Sequence, residues 1–154
     1  DDNKRTIQTR IRKKEEKMRT KLFKILTAGA GIYHIILGVA TLVFPATLMQ
    51  KTIGTIMGIS PIIDDQFLLV AKFAGVYALA FGAILLILTH NPNKYKILTY
   101  PVLGVFGIRL INKLVFMGTI SSLYNVSMGR SLYAIISIAV FFFGILLTAP
   151  WKEK

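Results

Sequence analysis

Residues 132–149 read "LYAIISIAVFFFGILLTA" and contain no charged side chain. A helix needs roughly 20 apolar residues to cross a hydrocarbon core of about 30 Å, and this run approaches that length. The whole chain agrees with it, because 54% of its 154 residues are hydrophobic and its mean hydropathy is +0.60. Soluble domains are usually about 45 to 50% apolar. The sequence therefore predicts an integral membrane protein.

Three further stretches are long enough to span a membrane, namely residues 22–44, 67–88 and 97–117. The third is the least hydrophobic of them, because Arg109 and Lys113 lie inside it. Without it the chain would have an odd number of spans and poorly placed basic flanks. We predict an all-α, polytopic protein, an antiparallel bundle of four transmembrane helices.

The Lys and Arg residues predict the orientation of this bundle. Ten of the 19 lie in the first 24 residues, and four more follow the second and fourth spans: Lys94, Lys96, Lys152 and Lys154. The opposite side has only Lys51 and Arg130 between its spans. The positive-inside rule then places both termini on the cytoplasmic, stromal or matrix side of a bacterial cytoplasmic membrane or an organellar membrane. Since the sequence starts at Asp1, we also expect a processed or incomplete chain.

Residues 1–21 form a basic leader whose apolar side chains have helical spacing: Ile7, Ile11 and Met18, continued by Leu22. One interpretation is a juxtamembrane helix that rests on anionic headgroups. The other is a docking helix for a partner or for a second copy of the chain. Nucleic acid is not an expected partner, because Phe23 is the single aromatic residue among the first 24.

The connecting segments are short. Residues 45–66 are too short and too interrupted by glycine to span the membrane. They predict a short helix in the outer interface. Residues 90–96, "HNPNKYK", predict a tight turn that makes the second and third spans antiparallel neighbours. Residues 150–154 form a short basic tail. In the second span, Ala74, Ala78 and Gly82 form one ridge of small residues, and Ala71 and Gly75 form another; we expect both to pack within the bundle.

Several kinds of catalytic and metal site are excluded. The chain has no cysteine and only two histidines, and it has neither a phosphate-cradling glycine motif nor a nucleophile elbow. We therefore predict no catalytic residue and no metal site.

A cluster of basic side chains is predicted in the outer half of the membrane, and its members are Arg109, Lys113, Lys72 and His34. Charges at this depth must reach water, pair with another group or bind a ligand. The nearest acids, Asp64 and Asp65, are the expected ion-pair partners. The cluster is either purely structural, with snorkelling side chains, or an outward-facing pocket for a lipid phosphate, a quinone or another oxyanion.

His34 has separate interpretations. It can be a neutral imidazole bonded to a neighbouring helix, a hydrogen-bond donor to a quinone, or an axial ligand to a haem or chlorophyll. Gly31 and Gly38 on either side would leave room for such a tetrapyrrole ring.

Three segments resemble the small DoxX-like membrane proteins: "AGIYHIILGVATLVFP" (30–45), the pair Asp64 and Asp65 before "LLVAKFAGVYALAFGAILLI" (68–87), and "GIRLINKL" (107–114). The resemblance covers residues 22–149. It implies a four-helix bundle and, for some relatives, quinone-linked redox chemistry. Arg109 would match the family's late arginine of the third helix and Asp65 the acid before the second. The basic leader and Lys72 depart from the pattern.

Three functions follow from these observations. We expect a non-catalytic accessory or scaffolding subunit of a larger membrane complex, for example in an energy-transducing membrane. The alternatives are a quinone-interacting redox protein of the DoxX-like kind and a small anion channel or transporter. Membrane lipids and other membrane subunits are the expected partners.

Overall fold

The computed structural model describes residues 2–57, 63–124 and 126–151. The described residues are 89% helical and include no strand. The helices are α1 (Asp2–Val43), α2 (Ala46–Met57), α3 (Asp65–His90), α4 (Thr99–Val115), α5 (Met117–Tyr124) and α6 (Met128–Thr148). One turn of 3-10 helix, Lys96–Leu98, leads into α4.

Four of these helices are long and apolar enough to cross a membrane. They are α1, α3, α4 with its preceding 3-10 turn, and α6. The prediction of an all-α, multi-pass bundle of four spans is therefore confirmed. The bundle end that holds the α3–α4 turn and the end of α6 is called the inner end below, after the predicted orientation, and the opposite end is called the outer end.

The basic leader is not a separate element. It continues into the first span as one unbroken helix, Asp2–Val43. No proline occurs before Pro45, so nothing in this segment interrupts the backbone hydrogen bonds. Pro45 disfavours a helical conformation at Phe44, which explains why α1 ends at Val43. The predicted short helix after the first span is confirmed as α2.

The closest helix pair in the bundle is α1 with α3. A Cβ atom added to Gly38 would lie 2.8 Å from the carbonyl oxygen of Gly75, and one added to Gly82 would lie 2.9 Å from that of Gly31. Gly75 and Gly82 are two turns apart and share one face of α3. Gly75 and Gly82 of the second span pack within the bundle as expected, but they belong to one contact and not to two separate ridges. Ala74, which was expected to belong to the first ridge, is exposed.

The other helix pairs differ in how closely they pack. Helix α1 also packs against α6, and α4 packs against α6. Helices α3 and α4 are antiparallel neighbours along the chain, but their direct contact is slight. The rings of Phe81 and Phe106, with centroids 5.7 Å apart, provide part of it.

The hydrophobic core lies mainly in the inner half of the bundle. Phe23, Leu85, Leu88, Val102 and Ile145 are all fully buried there. Apolar side chains of the outer half are exposed in the isolated chain, among them Val70, Ile111, Leu114, Tyr133 and Ile136. The largest fully buried side chains of the bundle therefore lie toward its inner end.

Two cations of α1 fix the inner ends of its neighbours. Arg19 Nη2 donates to the carbonyl oxygen of Leu147 at 2.7 Å, and Lys24 Nζ donates to that of His90 at 3.3 Å. The last carbonyls of a helix have no partner within the helix and carry partial negative charge. Arg19 and Lys24 thus stabilise the ends of α6 and α3 and connect the leader to the bundle.

Candidate functional site

Arg109 and His34 form a hydrogen bond between α4 and α1. The distance from Arg109 Nη1 to His34 Nε2 is 2.7 Å. These residues are 75 positions apart in the chain, so the contact depends on how the two helices face each other in the bundle. The structure therefore brings together two of the four basic residues predicted from the sequence.

The hydrogen bonds of His34 define its tautomer. Its Nδ1 lies 2.7 Å from the carbonyl oxygen of Ala30, which can only accept, so Nδ1 holds the proton. A guanidinium can only donate, so Nε2 must offer its lone pair to Arg109. His34 is thus a neutral imidazole bonded to a neighbouring helix, the first of its predicted interpretations.

This geometry of His34 does not favour axial ligation of a tetrapyrrole. Both ring nitrogens are engaged, and a metal ligand needs a free lone pair. Gly31 and Gly38, which were expected to leave room for a flat ring, lie instead against α3. Across the described residues, no three His, Asp or Glu side chains are grouped so that they could hold a metal ion.

Aromatic rings hold the imidazole in position. His34 is only 5% exposed, and its ring meets that of Phe81 edge to face with centroids 4.9 Å apart. Phe106 lies on another side at 6.3 Å and stacks in turn on Phe141 at 6.0 Å. Rings from α3 and α4 therefore flank the imidazole that accepts from Arg109, and a ring from α6 supports the second of them.

A cavity of about 460 Å³ lies beside Arg109, between α4, α5 and α6, and it is open on one side, because Arg109 and half of the other lining residues are exposed. Arg109 and Lys113 are one helical turn apart and both line it. The remaining lining residues are Asn112, Phe116, Thr119, Ile120 and Ile138. The site thus combines two permanent cations with an amide, a hydroxyl and three apolar side chains.

The predicted ion pair is not present among the described residues. Neither Asp64 nor Asp65 pairs with Arg109, Lys113 or Lys72 among them. Asp64 instead accepts a hydrogen bond from the backbone N–H of Phe67 at 2.7 Å and caps the start of α3. Asp65 follows in the first turn, where a carboxylate is favoured by the helix dipole. The two acids thus stabilise the helix start.

Lys72 does not join this site. It is exposed on α3, whereas the cavity walls come from α4, α5 and α6. Its depth along the second span was the reason for grouping it with Arg109. Depth alone did not indicate that Lys72 lies outside the cavity.

Helix α5 is the part of the site that sequence reasoning missed. The third span was predicted to end at Met117, with no element between it and the fourth. In the structure α4 ends at Val115, and α5 supplies Thr119 and Ile120 to the cavity. The helical spacing of Met117, Ile120 and Tyr124 could have indicated it.

No protein-family model, curated protein or solved structure matches this chain. The DoxX-like resemblance consequently stays a hypothesis from the sequence.

Proposed function

We propose that this chain is a non-catalytic accessory subunit of a larger membrane assembly. The bundle would anchor it, and residues 5–21 of α1, named the basic arm here, would dock on an acidic partner surface at the inner side. The observation that supports this most is the continuity of α1 from the arm into the bundle.

The length of α1 favours a protein partner over the chain's own bilayer. A helix of 42 residues is about 63 Å long, twice the thickness of a hydrocarbon core. The segment that joins the arm to the span, residues 19–27, has neither proline nor glycine. An arm that continues along the span direction holds Arg5 about 24 Å beyond Lys21. Charges of headgroups are screened within about 8 Å at physiological ionic strength, so they act mainly on the base of the arm.

The arm's composition suits an acidic, partly apolar surface. It contains eight Lys and Arg residues against Glu15 and Glu16. Ile7, Ile11 and Met18 are exposed on it, at 51%, 54% and 63% of their surface. Apolar side chains with helical spacing beside basic ones are typical of a helix that binds in a groove.

The experiment compares two double variants in native membranes under gentle solubilisation. In Lys13→Gln/Lys14→Gln the arm loses two cations; in the matched control, Lys51→Gln/Arg130→Gln, the opposite side loses two. We expect the unchanged chain and the control to migrate with a larger assembly. The arm variant should separate from that assembly, and added salt should separate the unchanged chain in the same way. The proposal would be contradicted if the unchanged chain migrated without an assembly at low salt. It would also be contradicted if the arm variant stayed with the assembly as fully as the control variant does.

A quinone-interacting redox protein is the second candidate, favoured by the hydrogen bond between Arg109 and His34 beside a cavity. A quinone carbonyl could accept from the other N–H groups of Arg109. Solvent extraction of the purified protein tests this, since a stoichiometric quinone would support it and its absence would count against it.

An anion channel has less support. The fully buried apolar residues at the inner end, such as Leu85, Val102 and Ile145, stand between the cavity and the inner side within a single chain. An anion path would therefore have to form between several copies.

A further inference from the structure

The cavity beside Arg109 contains more positive charge than the described residues balance. Arg109 and Lys113 are both permanent cations, and like charges one turn apart repel each other. His34, which accepts from Arg109, is neutral in its observed tautomer. An uncompensated pair of cations at this depth requires an anion or access to water.

The residues that carry the remaining donors line one cavity. A guanidinium has five N–H donors, and the hydrogen bond to His34 uses one of them. The Lys113 ammonium and the Asn112 amide belong to the same cavity wall, together with the Thr119 hydroxyl on α5. A planar guanidinium, an ammonium group and neutral donors together match the several oxygens of a phosphate group.

The cavity also has an apolar wall, and it lies at a depth where phosphate headgroups meet acyl chains. Phe116, Ile120 and Ile138 supply the rest of the lining. Lys113 lies about 3 Å and Arg109 about 9 Å below the last residue of α4, near the boundary between headgroups and acyl chains. A neutral quinone would contact such walls but would leave both cations unbalanced.

From this geometry we infer that the cavity between α4, α5 and α6 binds a phosphate group, held by Arg109 and Lys113 and oriented by Asn112. The phosphate belongs either to an anionic phospholipid or to a free phosphate ion. His34 is a positioning residue, because it holds the guanidinium at the cavity wall.

The test uses native mass spectrometry of the purified full chain with three separate additions. These are phosphatidylglycerol, phosphatidylcholine and inorganic phosphate. We expect one phosphatidylglycerol or one phosphate ion to remain bound. The addition that gives the retained adduct identifies the source of the phosphate. Phosphatidylcholine should bind more weakly, because its choline cation faces the same two positive side chains.

Variants separate the cavity from general attraction by surface cations. Lys113→Gln should weaken the retained adduct about tenfold, the size expected for one charge-assisted contact. Ile138→Trp should also weaken it, because it fills the cavity without changing the charge. Lys72→Gln, which removes a cation of another helix outside the cavity, should leave it unchanged. Failure of both phosphatidylglycerol and phosphate to bind would overturn the proposal, as would equal losses in the Lys113 and Lys72 variants.

Discussion

The hydrogen bond between Arg109 and His34 satisfies a charged donor and a buried acceptor at once. Hydrogen bonds to charged groups contribute about 1.5 to 3 kcal/mol in soluble proteins, whereas interhelical bonds in membranes average about 0.6. Removal of one partner leaves the other without its bond inside the bundle. The pair is therefore stabilising as a unit, and each partner alone is a source of instability.

A double-mutant cycle of His34→Leu and Arg109→Leu tests this directly. Each single change should destabilise the bundle, and the double change should cost less than the sum of the two by about 1 to 2 kcal/mol. The measurement is the free energy of unfolding in mixed detergent micelles. His34→Leu combined with Lys72→Leu is the control cycle, since these two residues share no contact and should add. An Arg109 cycle as additive as the control would mean that the hydrogen bond contributes nothing.

At the residue scale, the sequence indicated which side chains are unusual but not which of them meet. Hydropathy and helical rise gave the depth of Arg109, His34 and Lys72. They did not give the direction in which each helix faces, so the nearest acid by depth was taken as the partner of Arg109. The tautomer of His34 likewise became evident only with Ala30 and Arg109 both in place.

At the element scale, the contact of α1 with α3 depends on the absence of side chains at four glycines. Gly31 and Gly38 of α1 meet Gly82 and Gly75 of α3 in antiparallel order. Membrane helices gain little from burying apolar surface against each other, because lipid is equally apolar. Close backbone approach and the van der Waals contact that it permits then stabilise the pair.

Gly38→Ala should therefore destabilise the bundle by about 1 to 3 kcal/mol, as overpacking does in other cores. Its new Cβ would meet the backbone oxygen of Gly75 at 2.8 Å, so the two helices would have to separate. Gly29→Ala is the matched control in the same helix, because nothing lies within 4 Å of its Cβ position. That change should be neutral or slightly stabilising through helix propensity. Equal unfolding free energies for the two variants would disprove the role of the glycine contact.

The element boundaries were largely predictable, because the four apolar runs, and the prolines and glycines between them, are local properties of the sequence. The continuity of α1 was not predicted, since a change from polar to apolar composition does not interrupt a backbone. Helix α5 was missed because eight residues are too few for a hydropathy window. The position of Gly75 and Gly82 on one face of α3 follows from their spacing of seven residues, although they were expected to belong to two different ridges.

In the whole molecule, the basic arm and the cavity lie at opposite ends of the bundle. The basic arm extends from the inner end, where Arg19 and Lys24 bind the last turns of α6 and α3. The cavity proposed to bind phosphate lies at the outer end, where α4 is followed by α5. In the proposed arrangement the arm binds a protein partner at one membrane surface, and the cavity is reached from the other.

In the predicted four-span arrangement a membrane separates these two ends, and labelling of single cysteines tests this separation. The chain has no cysteine of its own, so Asn93→Cys in the α3–α4 turn and Ser122→Cys in α5 can be read without background. In sealed vesicles or intact cells, a membrane-impermeant maleimide added outside should label Ser122→Cys. Asn93→Cys should react only after the membrane is opened, as the uneven distribution of flanking cations predicts. Labelling of both positions from the same side would contradict the four-span arrangement and, with it, the assignment of the arm and the cavity to opposite surfaces.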